Sequence, residues 1–337
     1  MKKLLLLVSC FFQILLLSAQ QMPLTTFYQR NWQLVNPAVR NNTIFDQRTH
    51  PGNRPNTMLQ FNHRSQWIGI AEAPQSTFFS VDHALENSTE IGGFAFYDRA
   101  GAFSTSALNL NYKYHIRLPG DKKFLSAGVN MSGNFYGINT KSLTANANNN
   151  TSDPILTDNT AIKTQTASDF SFGLFYRNSD TGTNVEDFYV GLSATQLISL
   201  YYKTNPNSKF EFRNKRTLVE PSIALIIGCI TESKKYEGLF EPSLIVRYLP
   251  NQSFKTITGN KKFPLSIDMG MTYSPIPKIR FGGGYGTNQM LNGEFTYLGG
   301  DNSNLWQLGM NFSIPVFNRF VRLGPSIEFT AAYAWRY

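Results

Sequence analysis

The sequence offers few side chains whose type and spacing could support catalysis or metal binding. Its four histidines, His50, His63, His83 and His115, lie far apart and lack the spacing of metal ligands. Neither a Gly-x-Ser-x-Gly nucleophile elbow nor a Walker-type phosphate-binding loop is present. We therefore expect no metal and no cofactor.

Two features could still carry chemistry, and each has a simpler structural interpretation. His115 could serve as the base of a membrane hydrolase, but a base also needs a nucleophile and an orienting group. A hydrogen-bonded histidine inside the protein explains it more simply. The stretch 281–286 reads Phe-Gly-Gly-Gly-Tyr-Gly, and no helical pattern follows it. We interpret these glycines as relieving crowding in a strand or bending it.

Three short motifs in the first third of the chain supply the candidate binding residues. They are Asn-Pro-Ala at 36–38, Arg-Ser-Gln-Trp at 64–67 and Asp-Arg-Ala-Gly at 98–101. A structural role stays open for each motif, for example Trp67 at a membrane interface or Asp98-Arg99 as a turn with a weak local ion pair. The candidate binding residues are Asn36, Pro37, Arg64, Gln66, Trp67, Asp98, Arg99 and Gly101.

The elements that must position these residues are β-strands, because polar and apolar residues alternate strictly over long segments. From Leu108 to Leu118 every second residue is aliphatic or Tyr, and the intervening residues are Asn, Lys, His and Arg. Successive strand side chains point to opposite faces, so one face is apolar and the other polar. Counted from Ser104 to Leu118 the run is about 15 residues long, whereas a soluble strand has roughly 5–6 and a tilted membrane strand roughly 9–11.

The alternation predicts fourteen strands, and an even number is typical of bacterial single-chain membrane barrels. Long connections at 139–164, 199–217 and 250–262 follow the fifth, seventh and ninth strands, whereas tight turns follow even-numbered strands. With a periplasmic N-terminus, every long loop then faces outward. We predict an all-β, antiparallel outer-membrane β-barrel with strands near 57–68, 75–84, 89–97, 102–118, 123–138, 165–177, 186–198, 218–230, 238–249, 263–274, 277–287, 291–298, 304–315 and 321–335.

The last strand favours a membrane barrel over a secreted two-sheet sandwich. One face of this strand carries Phe329, Tyr333, Trp335 and Tyr337. Outer-membrane barrels commonly end in such an aromatic strand, whereas an exposed edge strand of this kind would promote aggregation in water.

Composition and the N-terminal residues support export and exclude other classes. Only 16% of residues are charged and 14% are aromatic, which excludes a disordered chain. The apolar run 4–17 follows Lys2 and Lys3 and is too short to span a membrane as a helix. We predict a signal peptide over 1–19; a lipoprotein signal cut before Cys10 is the alternative.

The predicted domains after the signal peptide are a periplasmic lead segment or plug over 20–56 and the barrel over 57–337. Removing the two signal lysines lowers the net charge from +9 to about +7 (9 − 2). These charges are scattered in predicted turns, so we expect no nucleic-acid partner. Cys229 would be the only cysteine left, which excludes an intramolecular disulfide.

In their order behind a signal peptide, the three motifs resemble those of the PorP/SprF family of Bacteroidota type IX secretion membrane proteins. That family shows an Asn-Pro-Ala element, an Arg-x-Gln-Trp segment followed by Ala-Pro-x-x-Thr (here 73–77), and an Asp-Arg/Lys-x-Gly turn. Gly-Pro-Ser at 324–326 before an aromatic strand is also similar. Ile68 departs from the family pattern, in which Pro more often follows Gln-Trp.

The resemblance implies a non-enzymatic barrel in outer-membrane lipid that serves secretion or surface attachment of particular proteins, including gliding adhesins. Its partners would be periplasmic and outer-membrane type IX components and a secreted substrate protein with a C-terminal sorting domain. Two other classes stay open: a channel for small or hydrophobic solutes, and a membrane hydrolase. A general porin should carry clustered charge in its lumen, whereas the inward residues here are mostly Asn, Ser, Thr and Gly.

Overall fold

A computed structural model describes the chain at residues 31–39, 55–85, 88–119, 123–139, 162–179, 185–202, 221–233, 238–249, 254–255, 262–287, 290–301, 303–316 and 324–336. The predicted signal peptide and its alternative, most of the predicted long connections and Tyr337 lie outside these residues. Within the described part of the chain, no helix is long and apolar enough to cross a membrane.

Among the described residues, fourteen antiparallel strands form one closed barrel, so the predicted fold is confirmed. Each predicted strand overlaps one observed strand of the barrel. A separate pair, β10 (Phe254–Lys255) and β11 (Lys262–Phe263), was not predicted. The barrel strands are β1 (Thr57–Ser65), β2 (Gln75–Ala84), β3 (Thr89–Ala100), β4 (Phe103–Leu118), β5 (Lys123–Asn139), β6 (Ile162–Asn178), β7 (Val185–Tyr202), β8 (Ser222–Ser233), β9 (Gly238–Tyr248), β12 (Leu265–Ile276), β13 (Ile279–Gly286), β14 (Met290–Gly300), β15 (Asn304–Pro315) and β16 (Ser326–Trp335).

The barrel closes because the first strand pairs with the last. Thr57 lies opposite Trp335, and Ser65 lies opposite Ile327. The aromatic strand β16 also pairs with β15 on its other side. In the described barrel, closure leaves no edge strand with unpaired backbone groups, which removes the aggregation hazard of an exposed aromatic edge.

Alternation along the strands separates an apolar outer surface from a polar lumen. On β4, Leu108 and Leu110 face outward and are 60% and 67% exposed, whereas Asn109, Asn111 and Lys113 face inward and are buried. An outer apolar surface of this kind is suited to contact with lipid. The sequence alternation therefore reports the two faces of the barrel wall.

The two ends of the barrel differ in the connections between their strands. The end at which β1 begins carries short connections, among them 85–88, 119–122 and 301–303; we call it the short-turn end. The opposite end carries the connections 66–74, 140–161, 203–221 and 249–264, and we call it the long-loop end. Two tight connections, 101–102 and 287–289, also lie at this end, so short turns follow odd-numbered strands as well as the even-numbered ones that were expected.

The β14–β15 connection shows why a short turn forms at its position. The Asp301 carboxylate accepts hydrogen bonds of 2.8 Å from the backbone N–H groups of Ser303 and Asn304. These bonds stabilise the ionised carboxylate and lower the pKa of Asp301. Gly300, just before it, has a φ of +119°, which glycine adopts without the strain of a side chain.

Candidate functional site

Residues 31–39, here called the inner segment, lie inside the barrel in the half nearer the short-turn end. The segment contains a short 3-10 helix, Trp32–Leu34, and its side chains are almost completely buried. They pack against inward-facing residues of β6 to β9, so the lumen has an apolar core where the segment crosses it. This core contains Trp32, Val35, Ala38, Val39, Phe175, Tyr189, Ala224, Ile226 and Ile245.

Polar side chains fix the start of the inner segment to one wall of the barrel. Gln60 Nε2 on β1 donates a hydrogen bond of 2.6 Å to Asn31 Oδ1. The Gln33 side-chain amide donates to the Asp82 carboxylate on β2. The first residues of the segment are therefore bound to β1 and β2.

Asn36 fixes the other half of the segment to β6 and β7. Its Nδ2 donates hydrogen bonds to the backbone carbonyls of Leu174, at 3.0 Å, and Leu192, at 3.4 Å. Its Oδ1 accepts a hydrogen bond of 2.8 Å from the N–H of Ala38, which closes a local turn around Pro37. One asparagine thus shapes the segment and attaches it to the wall.

Three inward-facing glycines provide the space that Asn36 and Pro37 occupy. A Cβ on Gly128 or Gly173 would overlap the Pro37 backbone or the Asn36 side chain, far inside van der Waals contact. A Cβ on Gly191 would lie 2.9 Å from Asn36 Nδ2. Gly128 and Gly173 are cross-strand partners on β5 and β6, so together they form a depression in the wall.

A buried ion cluster lies beside the inner segment. Lys113 Nζ, which is fully buried, donates to Asp82 Oδ1 at 2.8 Å and to Glu90 Oε1 at 2.7 Å. Asp82 also binds Gln33 of the inner segment. Buried charges are stable only when they are paired and hydrogen-bonded, so this cluster couples β2, β3, β4 and the segment.

His115 is hydrogen-bonded inside the wall. Its Nδ1 lies 2.6 Å from Ser126 Oγ, and its Nε2 lies 3.6 Å from Glu90 Oε2. A serine, a histidine and a carboxylate therefore meet, but Ser126 is fully buried and Glu90 is already bound to Lys113. This geometry suits a structural histidine better than a base that activates an accessible nucleophile.

A second group of motif residues meets at the long-loop end and forms what we call the rim surface, residues 66–74, 99–102 and 324–326. Its three segments come from the β1–β2 connection, the β3–β4 turn and the approach to β16. Backbone hydrogen bonds of 2.9–3.1 Å hold these segments together, from the N–H of Gln66 to Pro74, of Ile68 to Pro325 and of Gly101 to Glu72.

The β1–β2 connection in the rim surface has an unusual backbone. Trp67 and Glu72 have φ values of 51° and 56°, which cost energy for residues with side chains. Ile68 and Ile70 are 46% and 41% exposed. The departure at Ile68 has a structural consequence, because a proline there could not donate the hydrogen bond to Pro325.

The predicted site residues therefore fall into three places: the lumen, the rim surface and the inner wall below the rim surface. Asn36 and Pro37 lie in the lumen, whereas Gln66, Trp67, Arg99 and Gly101 lie in the rim surface. Arg99 forms an exposed ion pair with Glu72 at 4.0 Å.

Arg64 and Asp98 belong to the inner wall just below the rim surface. Arg64 is buried, with its Nε 4.0 Å from the Glu328 carboxylate on β16. Asp98 accepts a hydrogen bond of 2.6 Å from Ser76 Oγ. These two residues connect neighbouring strands instead of facing solvent.

The sequence did not reveal the ion cluster or the glycine depression. Their members lie on different strands, and only the register brings them together. One signal was available in the sequence. Lys113, Gly128 and Gly173 occupy inward-facing positions of their strands, where the neighbouring inward-facing residues are mostly Asn and Ser.

The family model "Type IX secretion system membrane protein PorP/SprF" matches residues 17–333. No curated protein matches the chain. Among solved structures, the Pseudomonas putida toluene transporter TodX is 8% identical with a TM-score of 0.48; the match spans 96% of this chain and 99% of that one. The Acinetobacter baumannii outer membrane protein Omp33 is 8% identical with a TM-score of 0.43, over 85% and 100%. A Pseudomonas aeruginosa FadL homologue is 8% identical with a TM-score of 0.43, over 89% and 99%.

Proposed function

The chain belongs to the PorP/SprF family of type IX secretion system membrane proteins, and from this premise we propose that it docks a secreted substrate protein. In this proposal the barrel is non-enzymatic and stands in outer-membrane lipid. It receives the C-terminal sorting domain of the substrate at the long-loop end, which faces outward. Periplasmic and outer-membrane type IX components bring the substrate there for secretion or surface attachment, adhesins among them.

The single observation that carries the proposal is the rim surface. Residues far apart in sequence, at 66–74, 99–102 and 324–326, are joined there by backbone hydrogen bonds into one surface. The surface is held in a fixed conformation, and a fixed surface loses less entropy when it binds a partner.

The exposed groups of the rim surface suit a protein partner. Ile68 and Ile70 offer apolar side chains, and beside them lies the exposed Arg99–Glu72 pair. Apolar side chains next to polar groups are the usual composition of a protein–protein interface.

The inner segment favours docking over the alternative of a small-solute channel. It crosses the lumen from β1 and β2 to β6 and β7, and its core is apolar and closely packed. The charged groups beside it, Lys113, Asp82 and Glu90, are paired and buried. This arrangement supports a barrel that is closed at this level.

The test is site-specific photo-crosslinking in the native cells. A benzophenone amino acid replaces Ile68 or Ile70 in the full chain, and adducts are identified by mass spectrometry after detergent extraction. Leu85, an exposed apolar residue at the short-turn end, is the matched control position. We expect adducts with a secreted protein carrying a sorting domain at Ile68 or Ile70 and not at Leu85.

Two outcomes would overturn the proposal. Adducts with a secreted substrate at Leu85 alone would place docking at the opposite end of the barrel. Recovery of the barrel alone from all three positions would instead favour a transporter, which conductance and uptake measurements would then examine.

A further inference from the structure

We propose that the outer surface of β1 and β2 binds the phosphorylated saccharide headgroup of an outer-leaflet glycolipid. The site consists of outward-facing polar side chains near the long-loop end, and we call it the polar notch: His63, Ser65, Gln75 and Thr77. The inference goes beyond the proposed docking function and shares with it only the outward orientation of the long-loop end.

The polar notch interrupts a row of apolar and aromatic side chains that follows the outside of the barrel. In this row His63 lies between Thr77 on β2 and Phe329 on β16. Tyr97 continues the row beyond Thr77, and Met310 continues it beyond Phe329. Phe329, Met310 and Tyr97 are exposed on the outer surface. A lipid at the notch therefore has contacts for its acyl chains on both sides.

The apolar span of β1 and β2 is too short for the hydrocarbon layer of a membrane. At the short-turn end Thr57 Oγ1 lies 2.8 Å from His83 Nδ1, and this pair marks one polar limit of the span. His63 marks the other limit, six residues further along β1. Six residues extend roughly 20 Å along a strand, or roughly 15 Å along the barrel axis at the usual tilt, whereas the apolar band of a membrane barrel is about 25 Å tall.

Strand β4 has the span that the hydrocarbon layer requires. Its outward residues are aliphatic or Tyr from Leu108 to Leu118, which are ten residues apart. This run extends roughly 25 Å along the barrel axis at the same tilt, which matches the height of the apolar band. Because Leu118 and Thr57 both lie at the short-turn end, the height that β1 and β2 lack is at the polar notch. A polar group of the outer leaflet therefore reaches down to the notch.

The side chains of the polar notch can bind a polar headgroup. His63 Nδ1 lies 3.0 Å from Thr77 Oγ1, and Ser65 Oγ lies 3.4 Å from His63 Nε2. A hydroxyl group can donate one hydrogen bond and accept two, so these contacts leave capacity for a ligand. Gln75 is exposed and adds a side-chain amide. Hydrogen bonds to a phosphate or to sugar hydroxyls satisfy these groups beside the lipid layer, where an unsatisfied polar group is costly.

The charge near the polar notch favours an anionic headgroup. Arg99 on β3 lies opposite Gln75, and its guanidinium group forms an exposed pair with Glu72 at 4.0 Å. Exposed pairs are weak, so the guanidinium group is available to a phosphate. On β1 to β3 the described carboxylates face the lumen and not the outer surface; they are Asp82, Glu90 and Asp98.

The size of the polar notch favours one lipid headgroup over a protein partner. The notch spans two strands, whose axes are about 5 Å apart, and two residues along each, so its area is on the order of 100 Å². A stable protein–protein interface needs about 800 Å² on each partner. The notch therefore suits a single glycolipid headgroup.

The test is native mass spectrometry of the full chain in detergent, titrated with lipid A, the diphosphorylated disaccharide glycolipid of outer membranes. The variant His63→Leu/Thr77→Val makes the notch apolar. We expect it to bind lipid A at least about tenfold more weakly than the wild type, because hydrogen bonds to a charged phosphate are lost. The matched control His83→Leu/Thr57→Val removes the same two side chains at the short-turn end and should bind lipid A as the wild type does.

Further measurements separate recognition of the headgroup from an effect on the fold. Normal heat-modifiable migration of each variant shows that its barrel is folded. The variant His63→Gln keeps a hydrogen-bond donor and should retain most of the binding. The wild type should bind dephosphorylated lipid A at least about tenfold more weakly than lipid A, because the charge-assisted hydrogen bonds are absent.

Three results would overturn the inference. The first is equal weakening by the two double variants, or equal binding of lipid A and its dephosphorylated form. A benzophenone amino acid at Gln75 in native cells should form adducts with glycolipid, and adducts with protein alone would assign the notch to a protein partner instead. Substrate adducts at Ile68 without any binding of lipid A would leave docking at the rim surface intact while this inference fails.

Discussion

The inner segment and the rim surface both carry residues of the three motifs singled out from the sequence, yet they differ in how those residues are placed. Asn36 and Pro37 are enclosed by the wall, and glycines on β5 and β6 leave room for them. Trp67 and Arg99 belong to a surface that is partly exposed and held by backbone hydrogen bonds between loops. The two regions therefore suit different roles. The enclosed residues Asn36 and Pro37 hold the inner segment against the wall, whereas the residues of the rim surface can be reached by a partner.

The electrostatics of the two regions differ in the same way. Lys113 beside the inner segment is fully buried between two carboxylates, whereas the Arg99–Glu72 pair in the rim surface is about half exposed. Water weakens the attraction between the charges of an exposed ion pair, whereas a buried charge depends on its partners for stabilisation. Substitutions should therefore have large effects on stability in the lumen and small ones at the rim.

The largest effect should come from Lys113→Met. It leaves Asp82 and Glu90 buried and close together without their cation, and we expect a loss of about 3–5 kcal/mol in the free energy of unfolding. Denaturant titration in detergent micelles measures this loss. The variant that also carries Asp82→Asn and Glu90→Gln should recover most of it, and an unchanged titration for Lys113→Met alone would contradict the assignment.

Gly173→Leu should have the next largest effect. The new side chain would occupy the space of Asn36, so the inner segment should leave the wall at a cost of about 1–3 kcal/mol. Release of the inner segment would be measured as faster proteolysis of the lead segment and as higher single-channel conductance. The control is Gly133→Leu on β5, where a Cβ meets no atom within 4 Å; equal proteolysis of the two variants would refute the glycine depression.

Gly101→Ala should act on the rim surface with a smaller effect. Gly101 has a φ of +59°, and we expect an alanine there to cost about 1–2 kcal/mol. Gly133→Ala, at a position whose φ is not positive, is the control for simple loss of glycine. Thermal unfolding measures the difference, and the absence of any difference would mean that the turn relaxes to another conformation.

Arg99→Ala should have the smallest effect on stability, below about 1 kcal/mol, because the pair with Glu72 is exposed and separated by 4.0 Å. Docking should nevertheless weaken, seen as fewer substrate adducts at Ile68. Arg117→Ala, at an exposed arginine near the short-turn end, should change neither quantity. A destabilisation as large as that of Lys113→Met would remove the contrast between the two regions.

Much of the fold could be predicted from local patterns. The alternation through Leu108–Leu118 marked the two faces of β4, and its length indicated a membrane strand. The count of fourteen strands and the closure of the barrel both agree with the structure. These predictions succeed because the alternation of side chains between two faces is a local property of a strand. In a membrane barrel every strand has one lipid-facing side, so the same apolar alternation recurs in each strand.

The candidate site could be predicted only in part. The motif around Trp67 and the turn at Gly101 were identified from sequence, but their meeting depends on a hydrogen bond between Glu72 and Gly101. The contacts of Asn36 with Leu174 and Leu192 span more than a hundred residues. No local pattern predicts such contacts, because they depend on register and on the path of the segment through the lumen.

The sequence by itself determined the class of the protein: an alternating, aromatic-rich chain whose motifs resemble one secretion family. The tertiary structure alone decided which motif residues lie in the lumen and which lie at the rim, and it placed Lys113 beside the inner segment. The physical reason is that side-chain alternation is fixed by neighbouring residues, whereas pairing inside a barrel depends on which strands become adjacent when the sheet closes.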